Sequence, residues 1–173
     1  GSDPNHFSVT LGREGSDYTA AIFAYCLNAE SVTIWKDVPG VMNADPRYFE
    51  NATLLNQISY REAIELAFYG ATVIHPKTLQ PLQNKEIPLY VKSFINPLLD
   101  GTCVTQGQDL EPAIPCFIVK KEQKLISLAS RDFSFIMEEN ISEIFGYLSQ
   151  FKIKVSLIQN TAISFVICVE DKF

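Results

Sequence analysis

The stretch Leu11-Gly12-Arg13-Glu14-Gly15-Ser16-Asp17-Tyr18-Thr19-Ala20 decides how this chain is read. Residues 7–11 ahead of it have the composition of a short strand. Behind it, Ala20, Ala21, Ile22, Ala24 and Leu27 form the small-residue face of a helix that starts at Ser16 or Asp17 and runs to about Asn28. A glycine-flanked turn that feeds a helix N-terminus exposes backbone N–H groups and the positive end of the helix dipole. Arg13 adds a planar, bidentate partner for a carboxylate or phosphate, and Ser16 adds a hydroxyl. Asp17 is suited to orient a lysine or a metal. Residue types alone leave two readings open here, an anion site and an ordinary strand–turn–helix with a serine cap.

Working outward, residues 31–36 (SVTIWK) alternate as a strand, and residues 37–50 form a long loop broken by Pro39, Gly40 and Pro46. Lys36, Asp37, Asp45 and Arg47 thus gather beyond the carboxyl end of a strand, where open α/β sheets bind ligands. Ser59 and Glu62 make a capping box for a helix that stops near Gly70. Pro76 opens another short helix, and residues 89–93 and 102–105 are strand-like. Strands separated by helices of this length predict an α/β layer with a mainly parallel sheet. Residues 106–115, with Gly107, Pro112 and Pro115, read as a domain boundary.

Beyond it, a strand at 125–129 precedes a helix capped near Asn140 and Glu143, in which Ile141, Ile144, Phe145 and Leu148 share one face. Residues 153–158 and 163–169 pair as a hairpin. The order strand, helix, strand, strand is most of a split ferredoxin-like unit, so this second domain is expected to be cut short.

The 173 residues carry a net charge of −6, with 47% hydrophobic and 20% charged residues, a balance that excludes a disordered chain. No cluster of Lys and Arg is present for a phosphate backbone, so nucleic acid is not expected as a partner. No apolar run is long enough to span a membrane. Cys26, Cys103, Cys116 and Cys168 lie far apart without a C-x-x-C pair, which predicts reduced thiols in a cytoplasm, with Cys26 and Cys168 in the core.

Taken together and in order, the glycine turn and Trp35-Lys36-Asp37-Val38-Pro39-Gly40-Val41-Met42-Asn43-Ala44-Asp45-Pro46-Arg47 resemble two motifs of the aspartate kinases. Those motifs run G-R-G-G-S-D-Y/F-T/S-A and T/K-D-V-x-G-V/I/L-x-x-x-D-P-R. The likeness continues through residues 59–71, Val73-Ile74-His75-Pro76, Ile87-Pro88-Leu89-Tyr90-Val91-Lys92-Ser93, Asn96-Pro97 and Gly101-Thr102. It implies half of a three-layer αβα amino-acid kinase domain at residues 1–107, a linker at 108–114, and a truncated ferredoxin-like ACT domain at 115–173.

What the resemblance implies chemically is transfer of the ATP γ-phosphate, with Mg²⁺, to the β-carboxylate of L-aspartate, the entry to lysine, threonine and methionine synthesis. Arg13 and Ser16 would hold aspartate, and Asp17 would organise the catalytic centre. Lys36, Asp37, Met42, Asp45, Arg47 and Thr72 would bind the nucleotide. His75 is expected to cap a helix. An amino-acid effector such as lysine or threonine and self-association into a homodimer or larger assembly are implied as well. Ser156 stands where lysine-regulated relatives often carry an aspartate. Glu14 replaces a usual glycine, and Thr72 replaces a frequent lysine, a loss that Lys36 would offset. The family's K-F/Y-G-G-T/S-S stretch does not occur, so this chain by itself is expected to be inactive. The alternatives are a non-catalytic effector-binding or assembly module and a glutamate-type kinase.

Overall fold

The computed structural model describes every residue except Arg13, Thr72, Gln108, Arg131, Phe133, Lys172 and Phe173. Helix α1 (Gly15–Leu27) is followed by β1 (Val32–Lys36), β2 (Gln57–Ser59), α2 (Tyr60–Tyr69), α3 (Pro76–Gln83), β3 (Leu89–Ser93) and β4 (Thr102–Thr105). These elements lie in the first of two compact units, Gly1–Val119. Its sheet has the order β1-β3-β4-β2. The β1/β3 and β2/β4 pairs are parallel, as anticipated, but β3 and β4 run antiparallel between them. The sheet is therefore two parallel ladders joined back to back.

Alternation along the strands sets what is buried. Val32 and Ile34 of β1, Leu89 and Val91 of β3, Val104 of β4 and Ile58 of β2 point into one core. Helices supply Ala21 and Ala24, Tyr60 and Ala63, and Leu79 and Leu82 to the same core. Burying a Leu or Ile fully contributes about 1.5–3 kcal/mol relative to exposure, so this layer contact holds the unit together. The small face anticipated on α1 is confirmed for Ala21 and Ala24, whereas Leu27 is 74% exposed. Cys26 is exposed and Cys168 half-buried, so neither is a fully buried core residue. Cys26 falls on the outward side of α1 with Phe23 and Leu27, because the helical repeat turns it away from Ala21 and Ala24.

Other local signals carry through. Ser59 Oγ accepts from the Glu62 amide and the Glu62 carboxylate accepts from the Ser59 amide, closing the capping box that starts α2. Gly70 ends that helix at φ 128°. Residues 7–11, in contrast, form no strand; only an isolated bridge joins Ser2 and Ser8. A strand exists through its partner, and among the described residues no strand pairs with this segment, leaving Phe7 70% exposed.

Tyr60 anchors the first turn of α2. It is 1% exposed, and its hydroxyl donates to the Ile87 carbonyl, two residues ahead of β3. Burial, with smaller contributions from Cys103 and Glu86, pushes its phenol up to about 12. The folded state therefore favours the neutral form. That stability is fully present below the unfolded value of about 10 and is lost as pH rises towards 12. In a near-ultraviolet absorbance titration against Tyr60→Phe, the difference signal should rise only near pH 12. A Tyr60 signal appearing near pH 10 would show that the phenol is not enclosed.

The second unit, Lys120–Phe173, contains β5 (Gln123–Ala129), α4 (Glu138–Gln150), β6 (Val155–Asn160) and β7 (Ser164–Glu170). Its antiparallel sheet has the order β5-β7-β6. Phe165, Ile167 and Val169 of β7 form a small core with Leu148 of α4, and Ile141 and Ile144 pack against it. This is the helix face read from the sequence. Helix α4 begins at Glu138 with Met137 as its N-cap, three residues before the anticipated cap at Asn140. Asn140 serves as the third helical residue, and its Oδ1 accepts from the Met137 amide at 3.1 Å.

Residues 110–117 are held against the rest of the first unit. The Asn56 and Gln57 amides donate to the Glu111 carbonyl, and the Glu111 amide donates to Gln57. Leu110, Ile114 and Cys116 pack against the main core.

Candidate functional site

The turn before α1 is shaped by backbone conformation. Gly12 has φ +81°, and Glu14, at the helix N-cap, sits in the left-handed region at φ 58° with no side-chain cap bond. A non-glycine residue in that region costs about 1–2 kcal/mol. The serine-cap reading therefore fails: Ser16 lies inside the helix, and its hydroxyl meets Asp17 Oδ1 at 3.4 Å.

Asp17 occupies the first turn of α1, and Lys36 ends β1 on the same sheet face as Val32 and Ile34. Strand alternation thus directs Lys36 towards α1, and its Nζ reaches Asp17 Oδ2 at 2.6 Å. Side-chain exposure is 22% for Lys36 and 11% for Asp17. A carboxylate this enclosed needs its cation, and the cation is held in one place by it. The sequence suggested that Asp17 could orient a lysine; the fold supplies Lys36 from 19 positions away.

Asp45 and Arg47 make a second pair. Arg47 Nε lies 3.0 Å from the Asp45 carboxylate, Nη2 lies 2.6 Å from Oδ2, and the Arg47 amide donates to Oδ1 at 2.9 Å. The hydrogen bond and charge of Asp45 push the Arg47 guanidinium further above its ordinary value. The Arg47 side chain is 77% exposed, a cation preset at the surface. Asp37 is exposed immediately after β1, and Met42 bridges to Leu54. Arg13 and Thr72 lie outside the described residues.

Thr102 holds the loop that carries these groups. Its fully buried hydroxyl accepts from the Val41 amide at 2.8 Å and donates to the Leu55 carbonyl at 2.6 Å. Gly40 passes so close that a Cβ there would sit 2.5 Å from Thr102 Oγ1. Sequence reasoning assigned no role to Thr102, because the signal lies in a contact between residues 61 positions apart. His75 does what was expected: its Nδ1 accepts from the Lys77 amide at 3.1 Å as the N-cap of α3. Beside the loop lies an open depression of about 440 Å³ lined by Asn43, Ala44, Tyr48, Phe49 and Phe117 among others, but not by Lys36, Asp37, Asp45 or Arg47.

Among the described residues no group of three His, Cys, Asp or Glu could hold a metal. A Mg²⁺ ion that arrives on a nucleotide keeps phosphate and water oxygens and needs only one or two carboxylates, so the donors at this site are compatible with it. No helix among the described residues is long and apolar enough to cross a membrane.

Three comparisons bear on this site. The sequence model of the Amino acid kinase family matches residues 1–93. Lysine-sensitive aspartokinase 3 of Escherichia coli (strain K12) is 36% identical over 98% of this chain, which spans 38% of that relative. Among solved structures, E. coli aspartokinase III in complex with aspartate and ADP superposes with a TM-score of 0.75 at 36% identity, covering 98% of this chain and 38% of that one. Clostridium acetobutylicum aspartate kinase superposes at 0.85 with 28% identity, covering 99% and 40%. The chain thus spans well under half the length of the relatives it matches.

Proposed function

The chain belongs to the amino acid kinase family, and from that premise we propose that it carries the nucleotide-side half of an aspartate kinase, followed by the start of an effector-binding ACT domain. The observation that carries this reading is the Lys36–Asp17 pair, set where the glycine turn, the start of α1 and the end of β1 converge. It sits in a chain aligned along nearly its whole length with an aspartokinase bound to aspartate and ADP.

In this reading Arg13 and Ser16 bind L-aspartate at the helix N-terminus, where dipole and amides favour a carboxylate. Asp17 fixes the Lys36 ammonium against the phosphates. Asp37, Met42, Asp45, Arg47 and Thr72 complete the nucleotide contacts. Magnesium bound with the nucleotide supplies further neutralisation of phosphate charge. The β-carboxylate oxygen of aspartate bonds to the γ-phosphorus while the bond to the β,γ-bridging oxygen breaks. The products are ADP and an acyl phosphate, and no proton need move. The task left to protein side chains is positioning and charge neutralisation.

Residues 1–107 make up the kinase portion of this proposal, 108–114 the connection, and 115–173 the ACT portion. Lysine or threonine is the proposed effector class, self-association the proposed state, and a cytoplasmic, reducing compartment the proposed setting. The similarity to aspartokinases over most of the chain favours this reading over a glutamate-type kinase.

Calorimetric titration with Mg-ADP is the direct test. Saturable binding that weakens in Arg47→Ala is expected. A folded chain that takes up no nucleotide, and whose full-length parent also takes up none, would overturn the nucleotide assignment.

A further inference from the structure

Asn43 lies in the middle of the loop that carries Met42, Asp45 and Arg47, and each of its four polar backbone and side-chain groups is engaged. Its amide donates to the Thr53 carbonyl at 2.9 Å, and its Oδ1 accepts from the Thr53 amide at 2.7 Å. On its other side, its carbonyl accepts from the Phe117 amide at 2.7 Å, and Nδ2 donates to the Pro115 carbonyl at 3.0 Å. The next residue, Ala44, is 6% exposed and bridges to Phe117 in parallel, while the Phe49 ring stacks on the Phe117 ring at 5.7 Å. One asparagine therefore joins the loop to two other segments, and one of these is the chain just ahead of the second unit.

An ordinary loop asparagine caps a turn through one side-chain bond. Asn43 instead fixes the loop laterally, two residues before the carboxylate that presets Arg47. We propose that Asn43 is a positioning residue for the nucleotide loop. It clamps the loop to residues 115–117 so that Asp45 and Arg47 meet a nucleotide already in place, an inference that rests on the nucleotide reading of this loop. Preorganisation of this kind improves binding of the group it serves and leaves the other substrate untouched.

The test uses the full-length protein. Asn43→Asp keeps the acceptor for the Thr53 amide but sets a carboxylate oxygen against the Pro115 carbonyl. The Kd for Mg-ADP and the KM for ATP should rise about tenfold, the loss of roughly one hydrogen bond, with the KM for aspartate staying within about twofold. A merely structural role would lower the melting temperature and leave the nucleotide constants unchanged. Phe49→Leu, which loosens the clamp without adding charge, should shift the same nucleotide constants by about threefold, and it serves if Asn43→Asp does not fold. A wild type that takes up no Mg-ADP overturns the nucleotide reading itself. A wild type that binds, beside a folded variant that binds equally well, overturns the clamp alone.

Discussion

Replacing Gly101 by alanine should unfold the first unit or lower its stability by roughly 3–5 kcal/mol, the largest loss expected from any single methyl group in this chain. Gly101 immediately precedes β4 at φ +76°, and a Cβ built there lies 2.1 Å from the Val91 carbonyl oxygen and 3.0 Å from the Val91 carbonyl carbon. Both are backbone atoms of β3, the strand that pairs with β4 through Val91 and Thr102. The third close atom, Lys92 Cγ at 3.1 Å, belongs to a side chain that can shift, but the two nearest atoms are backbone, so relief requires β3 and β4 to separate. Separation would break the antiparallel ladder that joins the two parallel halves of the sheet. Gly12 provides the control. Its φ is +81°, yet nothing lies within 4 Å of its Cβ position, so Gly12→Ala incurs only the conformational cost of about 1–2 kcal/mol. Urea melts of the two variants separate the effects. Equal losses would mean that the close approach at Gly101 is absorbed by the strands and that φ alone matters.

The difference between these glycines also shows what a sequence makes visible. Local signals were legible: the capping box at Ser59 and Glu62, the proline opening α3, the glycine ending α2, and the alternation that buries Val32 and Ile34. Each is written within a few neighbouring residues. What could not be read was whatever depends on a distant partner. Residues 7–11 have strand composition, yet no neighbour in the described fold completes them. The antiparallel turn of β4 against β3 has no local marker, because parallel and antiparallel strands share the same alternation. At the site, Lys36 and Asp17 were each assigned to an active centre through family likeness. Their mutual contact, and the hold of Thr102 on Val41, emerged only from the fold. Asn43 carries no signal of its own in the sequence, and its Nδ2 meets the Pro115 carbonyl 72 residues away.

The second large effect concerns that contact. In the full-length protein, Lys36→Met should lower the turnover number about 10²-fold or more, the size expected when one charge-stabilising group is lost from a water-poor catalytic site. The same change should also destabilise the fold, because it leaves the Asp17 carboxylate, 11% exposed, without the cation 2.6 Å away. A loss of activity alone would therefore not separate chemistry from folding. The double variant Lys36→Met, Asp17→Asn separates them. It removes the stranded charge while keeping the shape of the side chain, so the melting temperature should return most of the way to that of the parent. Turnover should not return, since no ammonium remains to meet the phosphates. Asp17→Asn by itself should keep the cation but free its Nζ to wander, giving a loss of turnover smaller than that of Lys36→Met. Nucleotide affinity adds a further check: the Kd for Mg-ADP should rise in both variants that lack Lys36 and rise by less in Asp17→Asn, where the cation remains but is no longer held in place. If the double variant regains turnover together with stability, Lys36 is only the structural partner of a buried carboxylate, and the phosphate-facing cation must be sought in another residue.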